Sequence, residues 1–338
     1  MRNKIIILVD DSFFGRSYTG WKSIDIEKVR SAFCDSGFEV DILSFSDVNN
    51  ADFLITNSYI VYSGSVLPEI GEYIKDALRC LDKNNVLIPS YEHCMCLENK
   101  GFQEVFKKMH DVHSLKAVYC SSLKDVDFKG VSYPIVMKRV DGAGSRHVRL
   151  IKNKFSLIWS YIKMKGFFHF VIYALLLIRK FFLVNSSDYR EYKKYHFPRM
   201  RFVLQEFVEE LAHDYKALVF GEKIFLLKRS IREDDFRASG SGDFEFVSEV
   251  SDGLLGYIYS TYVSLNCPCV SLDIVENKDS FGLIEFQFLH FGPYTLQKSG
   301  GYFVKNDGVW KYNQSSGSIL EEEFSSSYLS YILENFET

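Results

Sequence analysis

The stretch YPIVMKRVDGAGSRHVRL, residues 133 to 150, restricts the fold of this chain more than any other part of the sequence. An apolar run ends at Lys138, a short loop with Gly142 and Gly144 follows, and a second strand-like run begins at His147. Glycines let backbone N–H groups approach a bound anion without a Cβ in the way. We therefore interpret the unit as a hairpin lid over a nucleotide, with the strand lysine on its phosphates.

Other known nucleotide-binding motifs do not match this order of strand, lysine and glycine loop. A P-loop needs G-K-[ST] at the start of a helix, and the sequence contains no such tripeptide. In protein kinases the glycine loop precedes the strand lysine and an H-R-D motif follows, whereas here the loop comes after Lys138 and H-R-D is absent. No G-x-G-x-x-G follows the first strand, so a dinucleotide site is not supported.

Strand and helix patterns alternate over the first hundred residues, which indicates a parallel α/β sheet. The predicted strands are KIIILVDD, EVDILSF, DFLITNSY and NVLIPS, and the predicted helices are SIDIEKVRSAFCDSGF and LPEIGEYIKDALRCL. Beyond residue 97 a helix is predicted over ENKGFQEVFKKMHDV, before the glycine hairpin. Antiparallel strands are predicted in RFVLQEFV, DYKALVFGEKIFLLKRS and CVSLDIVENKDSFGLIEFQFLHFGP, and a final amphipathic helix in EEEFSSSYLSYILENF.

The composition is ordinary for a globular protein, and we expect this one to be cytoplasmic. A formal net charge of −4 gives no reason to expect nucleic acid as a partner. The apolar run near the N-terminus is too short for a signal peptide and ends in acidic residues. The 7 cysteines are an odd number, which favours reduced thiols. Cys94 with Cys96 and Cys267 with Cys269 have C-x-C spacing, so we predict buried thiols rather than a four-thiolate metal site.

Several motifs occur in a fixed order: Lys138, the glycine loop, VLQEFV, DYKALVFGEK, LLKR, DDFR, LDIVEN and IEFQ. In this order the chain resembles the ATP-grasp superfamily over roughly residues 97 to 295, especially carboxylate–amine ligases of the ribosomal-protein-glutamate ligase and D-alanine–D-alanine ligase-like branch. The resemblance implies an α/β (α+β ATP-grasp) fold. Its parts would be a parallel α/β domain over 1–96, a lid subdomain over 97–200 and an antiparallel-sheet subdomain over 201–338, with the nucleotide between the last two.

The resemblance also implies which residues bind ATP. Lysines suit phosphates as compact charges, backbone of the QEFV segment would meet the adenine edge, and residues two apart on a strand share one face. The implied residues are Lys100, Lys138, Gly142, Gly144, Ser145, Gln205, Glu206, Phe207, Val208, Asp214, Lys216 and Lys228. Arg229 and Arg237 are implied as catalytic clamps on the γ-phosphate or the substrate carboxylate. The alternatives are a surface role for Lys100, an ordinary strand at QEFV and a solvated loop around Arg237.

Two carboxylates and an amide are implied as metal ligands. Asp273 in SLDIV and Glu285 in LIEFQ interrupt strongly apolar strands, where unpaired carboxylates are costly to bury. Mg²⁺ removes that cost because hard oxygen ligands bridge it to a triphosphate, and Mn²⁺ is the alternative ion. Gln287 stands where the family usually carries Asn, which lengthens that arm by one methylene. A pair of structural acids is the alternative interpretation.

A strongly apolar insertion, at about 155–200, lies between the hairpin and RFVLQEFV. Its uninterrupted core FFHFVIYALLLI is too short to cross a bilayer core about 30 Å thick, and basic residues flank it. One hypothesis is a helical insertion that packs on the lid or forms a homodimer contact. The other is an interfacial helix over 155–184 that lies on the anionic inner face of the membrane.

The resemblance implies an ATP-dependent carbon–nitrogen ligase that activates a carboxylate as an acylphosphate and joins it to an amine. Positioning and charge neutralisation supply most of the catalysis of phosphoryl transfer, so no protein nucleophile is required. A kinase-like phosphotransferase and a non-catalytic nucleotide-binding module are the alternatives. The expected substrates are a small-molecule, peptide or glycan carboxylate and an amine, and the motifs do not identify them further. The loop DDSFFGRSYTGWKS follows the first strand and is the candidate acceptor site, and surface-glycan or peptide natural-product synthesis is the suggested setting.

Overall fold

The computed structural model describes residues 2–11, 13–15, 23–50, 54–65, 67–141, 147–179, 186–196, 199–209, 211–231, 244–277, 280–289, 291–315 and 317–337. The strands in these ranges are β1 (Lys4–Val9), β2 (Glu39–Ser44), β3 (Tyr59–Tyr62), β4 (Val86–Ile88), β5 (Ala117–Cys120), β6 (Ile135–Arg139), β7 (Val148–Ile151), β8 (Phe202–Glu206), β9 (His213–Phe220), β10 (Lys223–Ser230), β11 (Phe244–Phe246), β12 (Cys269–Asn277), β13 (Ser280–Gln287), β14 (Gly301–Asn306) and β15 (Val309–Gln314). The helices are α1 (Ile26–Asp35), α2 (Phe45–Asn50), α3 (Pro68–Leu81), α4 (Tyr91–Met95), α5 (Lys100–Met109), α6 (Lys154–Arg179), α7 (Ser186–His196), α8 (Asp252–Leu265), α9 (Tyr294–Lys298) and α10 (Leu320–Phe336).

The first four strands form a parallel sheet in the order β2-β1-β3-β4, which confirms the predicted α/β region. Helix α1 begins where the Asp25 carboxylate accepts a hydrogen bond from the backbone N–H of Lys28. It ends before Gly37, whose φ of 91° lets the chain turn back into β2 without strain from a side chain.

The third strand of this sheet is not where the sequence pattern placed it. DFLITNSY was predicted as a strand, whereas β3 begins at Tyr59, the last residue of that stretch. Asn57 has a φ of 55°, so the extended backbone cannot continue through it, and the Leu54 side chain is 75% exposed. The buried strand is instead the YIVY run, which pairs with both β1 and β4.

A second sheet is built from antiparallel strands in the order β13-β12-β9-β10-β14-β15, with β11 paired to β10. The hairpin predicted in DYKALVFGEKIFLLKRS is β9 and β10, and it turns at Gly221 with a φ of 56°. Strand β9 lies near the middle of the sheet and is covered on both faces. Tyr215, Ala217 and Val219 belong to one buried apolar cluster, and Leu218 and Phe220 to another.

Residues 115–209 form a compact unit of their own, and residues 1–114 with 210–338 form the other. The 115–209 unit holds an antiparallel sheet in the order β5-β8-β6-β7, and β6 and β7 are the strands predicted on either side of the glycine loop. The buried core of this unit includes Met137 and Phe202 from the sheet and Leu157, Tyr161 and Met164 from α6. The three-part division at 96 and 200 stays a prediction.

Helix α6 covers most of the apolar insertion and is 26 residues long. Within the ranges given above, the structure contains no helix with the length and hydropathy needed to cross a membrane.

Candidate functional site

Charged side chains gather at one end of the antiparallel sheet in the larger unit, on a single face. Strand pairing places Asp273 directly opposite Lys216 on one side and Glu285 on the other. On the next strand, Arg229 pairs with Asp214, which is two residues before Lys216 and therefore on the same face. Four adjacent antiparallel strands, β13, β12, β9 and β10, thus bring together carboxylates and cations that are far apart in the sequence.

The most buried pair of this cluster joins Arg229 and Asp214. The Arg229 Nε–H donates to Asp214 Oδ1 at 2.6 Å, and its Nη2–H donates to Oδ2 at 2.7 Å. The side chains of Arg229 and Asp214 are only 7% and 5% exposed. Bidentate pairing of this kind fixes the plane of the guanidinium as well as its position.

The Asp273 carboxylate forms salt bridges with two cations. Arg229 Nη2 lies 3.2 Å from Asp273 Oδ2, and Lys216 Nζ lies 3.2 Å from Oδ1. Burial raises the pKa of the Asp273 carboxyl, but the positive charges of Arg229 and Lys216 outweigh burial and hold that pKa well below its usual value. Asp273 is therefore an ionised carboxylate at every physiological pH.

The Glu285 carboxylate forms a salt bridge with a lysine that lies on a helix. Lys100 Nζ lies 3.2 Å from Glu285 Oε1, and the two side chains are 12% and 23% exposed. Lys100 is the first residue of α5, a helix capped by Asn99, whose side chain accepts from the N–H of Phe102. Gln103 then ties the helix to β13 by donating to the backbone carbonyl of Phe286 at 3.0 Å. This anchoring explains how a lysine so far from β13 in sequence reaches the cluster.

The other residues implied in this unit take different positions. Gln287 follows Glu285 by two residues, lies opposite Ser271 and is half-buried on the face that carries the cluster. Lys228 pairs with Tyr215 and so points to the opposite face of the sheet from Arg229, where its Nζ lies 3.4 Å from Glu245 Oε2. The cluster therefore includes Gln287 but not Lys228.

The 115–209 unit carries the implied lid and adenine residues. Lys138 on β6 and Gln205 on β8 point to the same face, since Lys138 pairs with Val203, two residues before Gln205. Both are almost fully buried, at 7% and 2% exposed. Glu206 is exposed, and its Oε2 accepts from the N–H of Lys116 at 3.3 Å. Phe207 and Val208, which follow β8, are half-buried.

Several predicted residues lie outside the described ranges. In the lid loop and the loop after β10 these are Gly142, Gly144, Ser145 and Arg237. In the candidate acceptor loop they are Ser12, Arg16 and Trp21, whereas Asp10 is described and forms an isolated bridge with Phe13.

Asp273 and Glu285 suit a divalent cation chemically. Their carboxylates face each other across two strands, each is already balanced by positive charge, and Gln287 adds an amide oxygen on the same face. Across the described ranges, no group of three or more His, Cys, Asp or Glu side chains forms a metal site. Such a cation would therefore need oxygen ligands from outside the protein, which is how Mg²⁺ binds with nucleotide phosphates.

The two C-x-C pairs are buried thiols, as predicted. Cys94, Cys96, Cys267 and Cys269 are each at most 2% exposed. Burial raises the pKa of Cys94 and of Cys269 to about 12, so these thiols stay protonated and are poor metal ligands.

The pairings within the cluster were not predicted from the sequence. Asp214, Lys216, Arg229 and Asp273 were each predicted as site residues, but the contact of Arg229 with both aspartates was not. The alternating polar positions on β9 and β12 were the available signal, and only the strand register connects them.

Known structures share this architecture, although no family model and no curated protein matches the sequence. The D-cycloserine synthetase DcsG aligns with a TM-score of 0.55 and 10% identity, over 97% of this chain and 99% of that one. The ATP-grasp ligase PsnB, solved with its precursor peptide PsnA2 and AMPPNP, aligns with a TM-score of 0.52 and 9% identity, over 98% and 97%. A RimK domain ATP-grasp protein from Sphaerobacter thermophilus aligns with a TM-score of 0.51 and 11% identity, over 86% and 93%.

Proposed function

Because the chain has the ATP-grasp fold, we propose that it is an ATP-dependent carbon–nitrogen ligase. The observation that carries this proposal is the cross-strand pair Asp273 and Glu285, set among Lys216, Arg229 and Lys100 on one face of the sheet. A phosphoryl-transfer site needs carboxylates for a metal ion and cations for the phosphates, in a fixed arrangement.

The proposed reaction has two steps. A substrate carboxylate oxygen attacks the γ-phosphorus of ATP, which breaks the bond to the β-phosphate oxygen and gives an acylphosphate and ADP. An amine then attacks the acyl carbon, inorganic phosphate leaves, and the amine loses a proton as the amide forms. Fixed charges that meet the transferring group can supply most of the rate acceleration without a protein nucleophile.

Most of the implied residues have a role in this proposal, and Asp214 positions Arg229, whereas Lys228 on the opposite face of the sheet is given none. Asp273, Glu285 and Gln287 would hold Mg²⁺, which would neutralise phosphate charge at the site. Lys100, Lys216 and Arg229 stabilise negative charge on the phosphates from the sheet side. Lys138 and the glycine loop would bind phosphate oxygens, and the backbone from Gln205 to Val208 would bind the adenine. Arg237 clamps the carboxylate substrate.

The substrates we propose are a small-molecule, peptide or glycan carboxylate and an amine. Two of the similar structures are named as a D-cycloserine synthetase and as a ligase bound to a precursor peptide, which supports amide formation in natural-product synthesis. Synthesis of a surface glycan remains the other proposed setting. We propose that the enzyme is cytoplasmic, which is compatible with either biosynthetic setting.

Hydroxylamine trapping tests the proposal directly. The purified protein is incubated with Mg·ATP, hydroxylamine and pooled carboxylic acids, and hydroxamate and ADP are measured together. Hydroxamate that depends on one acid supports acylphosphate formation and identifies half of the substrate. ADP with a phosphorylated product but no hydroxamate would favour the kinase-like phosphotransferase, and ATP binding without turnover on any pool would favour a non-catalytic module.

A matched pair of variants tests whether ATP turnover depends on the charged cluster. Glu285→Gln removes one charge from the proposed metal site and should abolish turnover. Glu276→Gln changes an exposed carboxylate on the neighbouring strand, whose Oε2 accepts from Tyr215, and should leave turnover unchanged. Full turnover in Glu285→Gln would refute the proposed metal site.

We also propose that the segment 155–184 makes a peripheral contact, with the inner face of the membrane or with a second copy of the chain. Phe155, Trp159 and Ile162 support this because they lie on one face of α6 and are 80%, 60% and 56% exposed. Flotation with anionic liposomes at low salt tests the membrane contact, and sedimentation at increasing protein concentration tests the homodimer. A monomer that stays in the soluble fraction would refute both.

A further inference from the structure

The 115–209 unit contains a pocket that belongs to neither the charged cluster nor the implied adenine segment. Its volume is about 360 Å³, within the range of small-molecule sites. It is lined by Ser122, Leu123, Lys124, Tyr161, Arg190, Lys194 and Arg199. No carboxylate is among these lining residues, whereas four of them carry a positive charge.

The floor and the rim of the pocket differ in chemistry. Tyr161 and Ser122 are almost fully buried, at 4% and 9% exposed, and Leu123 is half-buried beside them. The Tyr161 hydroxyl accepts from the backbone N–H of Met200 at 3.1 Å and keeps its own proton for donation. A ligand in this pocket would therefore meet an aromatic ring, an aliphatic side chain and hydroxyl donors at the bottom.

The cations lie at the rim and come from three separate segments. Arg190 and Lys194 are one turn apart on α7, so they lie on the same side of that helix. Lys124 belongs to the 3₁₀ turn Leu123–Asp125, and Arg199 precedes β8. All four side chains are exposed. They surround the opening rather than fill it, which suits an anion that enters from solvent.

The carboxylate of Asp125 lies near the pocket and offsets part of this charge. Asp125 is absent from the lining, and its Oδ2 accepts from the N–H and the hydroxyl of Ser121 at 2.7 Å each and from the N–H of Ser122 at 3.0 Å. The carboxylate is thereby engaged by the turn that it caps. Arg199 also interacts electrostatically with Asp125, so one carboxylate stands against the four cations that line the opening.

We propose that this pocket binds a phosphate monoester that carries an apolar or aromatic group. Three phosphate oxygens can share hydrogen bonds from several Arg and Lys side chains, whereas a carboxylate offers only two oxygens. The apolar group would lie against Tyr161 and Leu123. The phosphate could belong to a soluble metabolite or to an anionic lipid headgroup, since both present the same chemistry at the rim.

Binding of phenyl phosphate by isothermal titration calorimetry tests the proposal. The full-length protein is used with saturating Mg²⁺ and a non-hydrolysable ATP analogue, so that the charged cluster is occupied. We expect phenyl phosphate to bind more tightly than inorganic phosphate or benzoate. The double variant Arg190→Ala with Lys194→Ala should weaken binding at least about tenfold, because each lost cation removes a charge-assisted hydrogen bond.

The control variant removes the same charge from elsewhere on the unit. Lys129 and Lys152 are exposed and do not line the pocket, so Lys129→Ala with Lys152→Ala should leave the affinity unchanged. Exchanging the two cations, Arg190→Lys with Lys194→Arg, should retain most of the binding. Circular dichroism confirms that each variant is folded. Equal loss in the pocket and control variants, or no binding of phenyl phosphate at about 10 mM, would overturn the proposal.

A second arm distinguishes the two sources of phosphate. Vesicles of phosphatidylcholine with and without phosphatidic acid are sedimented with the wild type and with the double variant. Binding to phosphatidic acid that the double variant loses and the control retains supports the lipid headgroup. Binding of phenyl phosphate without vesicle binding supports a soluble ligand. Vesicle binding that is equal in all variants would place the membrane contact elsewhere and count against the pocket.

Discussion

Neutralising Asp214 tests how strongly the cluster depends on its most buried ion pair. Asp214 and Asp273 balance Arg229 and Lys216, so this group of four carries no net charge. Asp214→Asn leaves an excess positive charge, and Arg229→Met leaves an excess negative charge. The double variant restores neutrality while removing both partners.

The expected size of the effect follows from burial. The two side chains are 7% and 5% exposed, so water does not replace a lost partner. Two unit charges about 4 Å apart attract by about 4 kcal/mol at an effective dielectric constant of ~20. Breaking a buried pair from one side costs about 3–5 kcal/mol. Each single variant should therefore lose about 3–5 kcal/mol of the free energy of unfolding, and the double variant should lose at least ~2 kcal/mol less than the sum.

Urea unfolding of the wild type, both single variants and the double variant measures this coupling. Lys4 and Asp41 provide a matched control, since their atoms are 2.7 Å apart but the side chains are 37% and 48% exposed. The corresponding cycle with Lys4→Met and Asp41→Asn should give a coupling below about 1 kcal/mol. Strictly additive losses for Asp214 and Arg229 would refute the argument that their pairing, rather than each side chain alone, stabilises the sheet.

Three further predictions concern other parts of the molecule. Burial lowers the pKa of His93 from 6.5 to about 4, although its Nε2–H donates a hydrogen bond to the Leu265 carbonyl that acts in the opposite direction. The contribution of His93 to stability should therefore be complete above pH 6.5, and stability should fall by up to about 3 kcal/mol as the pH drops to about 4. Urea unfolding should find this loss reduced in His93→Gln. Met137→Ala should destabilise the 115–209 unit by about 2–5 kcal/mol, because Met137 is fully buried in the core of that unit. Backbone hydrogen exchange should increase in this unit before it increases in the rest of the protein, and unchanged exchange would contradict this prediction. Of the 7 thiols, Ellman's reagent should modify only Cys34 and Cys80 rapidly in the native protein, because the other five are buried. Fast reaction of a third thiol would contradict the burial of these five side chains.

Local patterns predicted most of the elements that carry the site. Alternating apolar runs identified β9, β10, β12 and β13, because side chains of period two and turn residues between them are local features of the chain. Helix α8 and the hairpin of β14 and β15 were not predicted. The α8 sequence DGLLGYIYSTYVSL is rich in aromatic, β-branched and glycine residues that disfavour helices, and its packing against the sheet outweighs that preference.

The sequence by itself determined the types of residue available for chemistry and the strands that carry them. It predicted Asp273 and Glu285 across one hairpin, and Asp214 and Lys216 on one face of another, because spacing along a strand decides the face of each side chain. Only the tertiary structure decided which charges meet. The pairing of Arg229 with both aspartates depends on the register of three strands, and the approach of Lys100 to Glu285 depends on the docking of α5. Register and docking are set by burial of the whole sheet, so no local stretch of sequence encodes them.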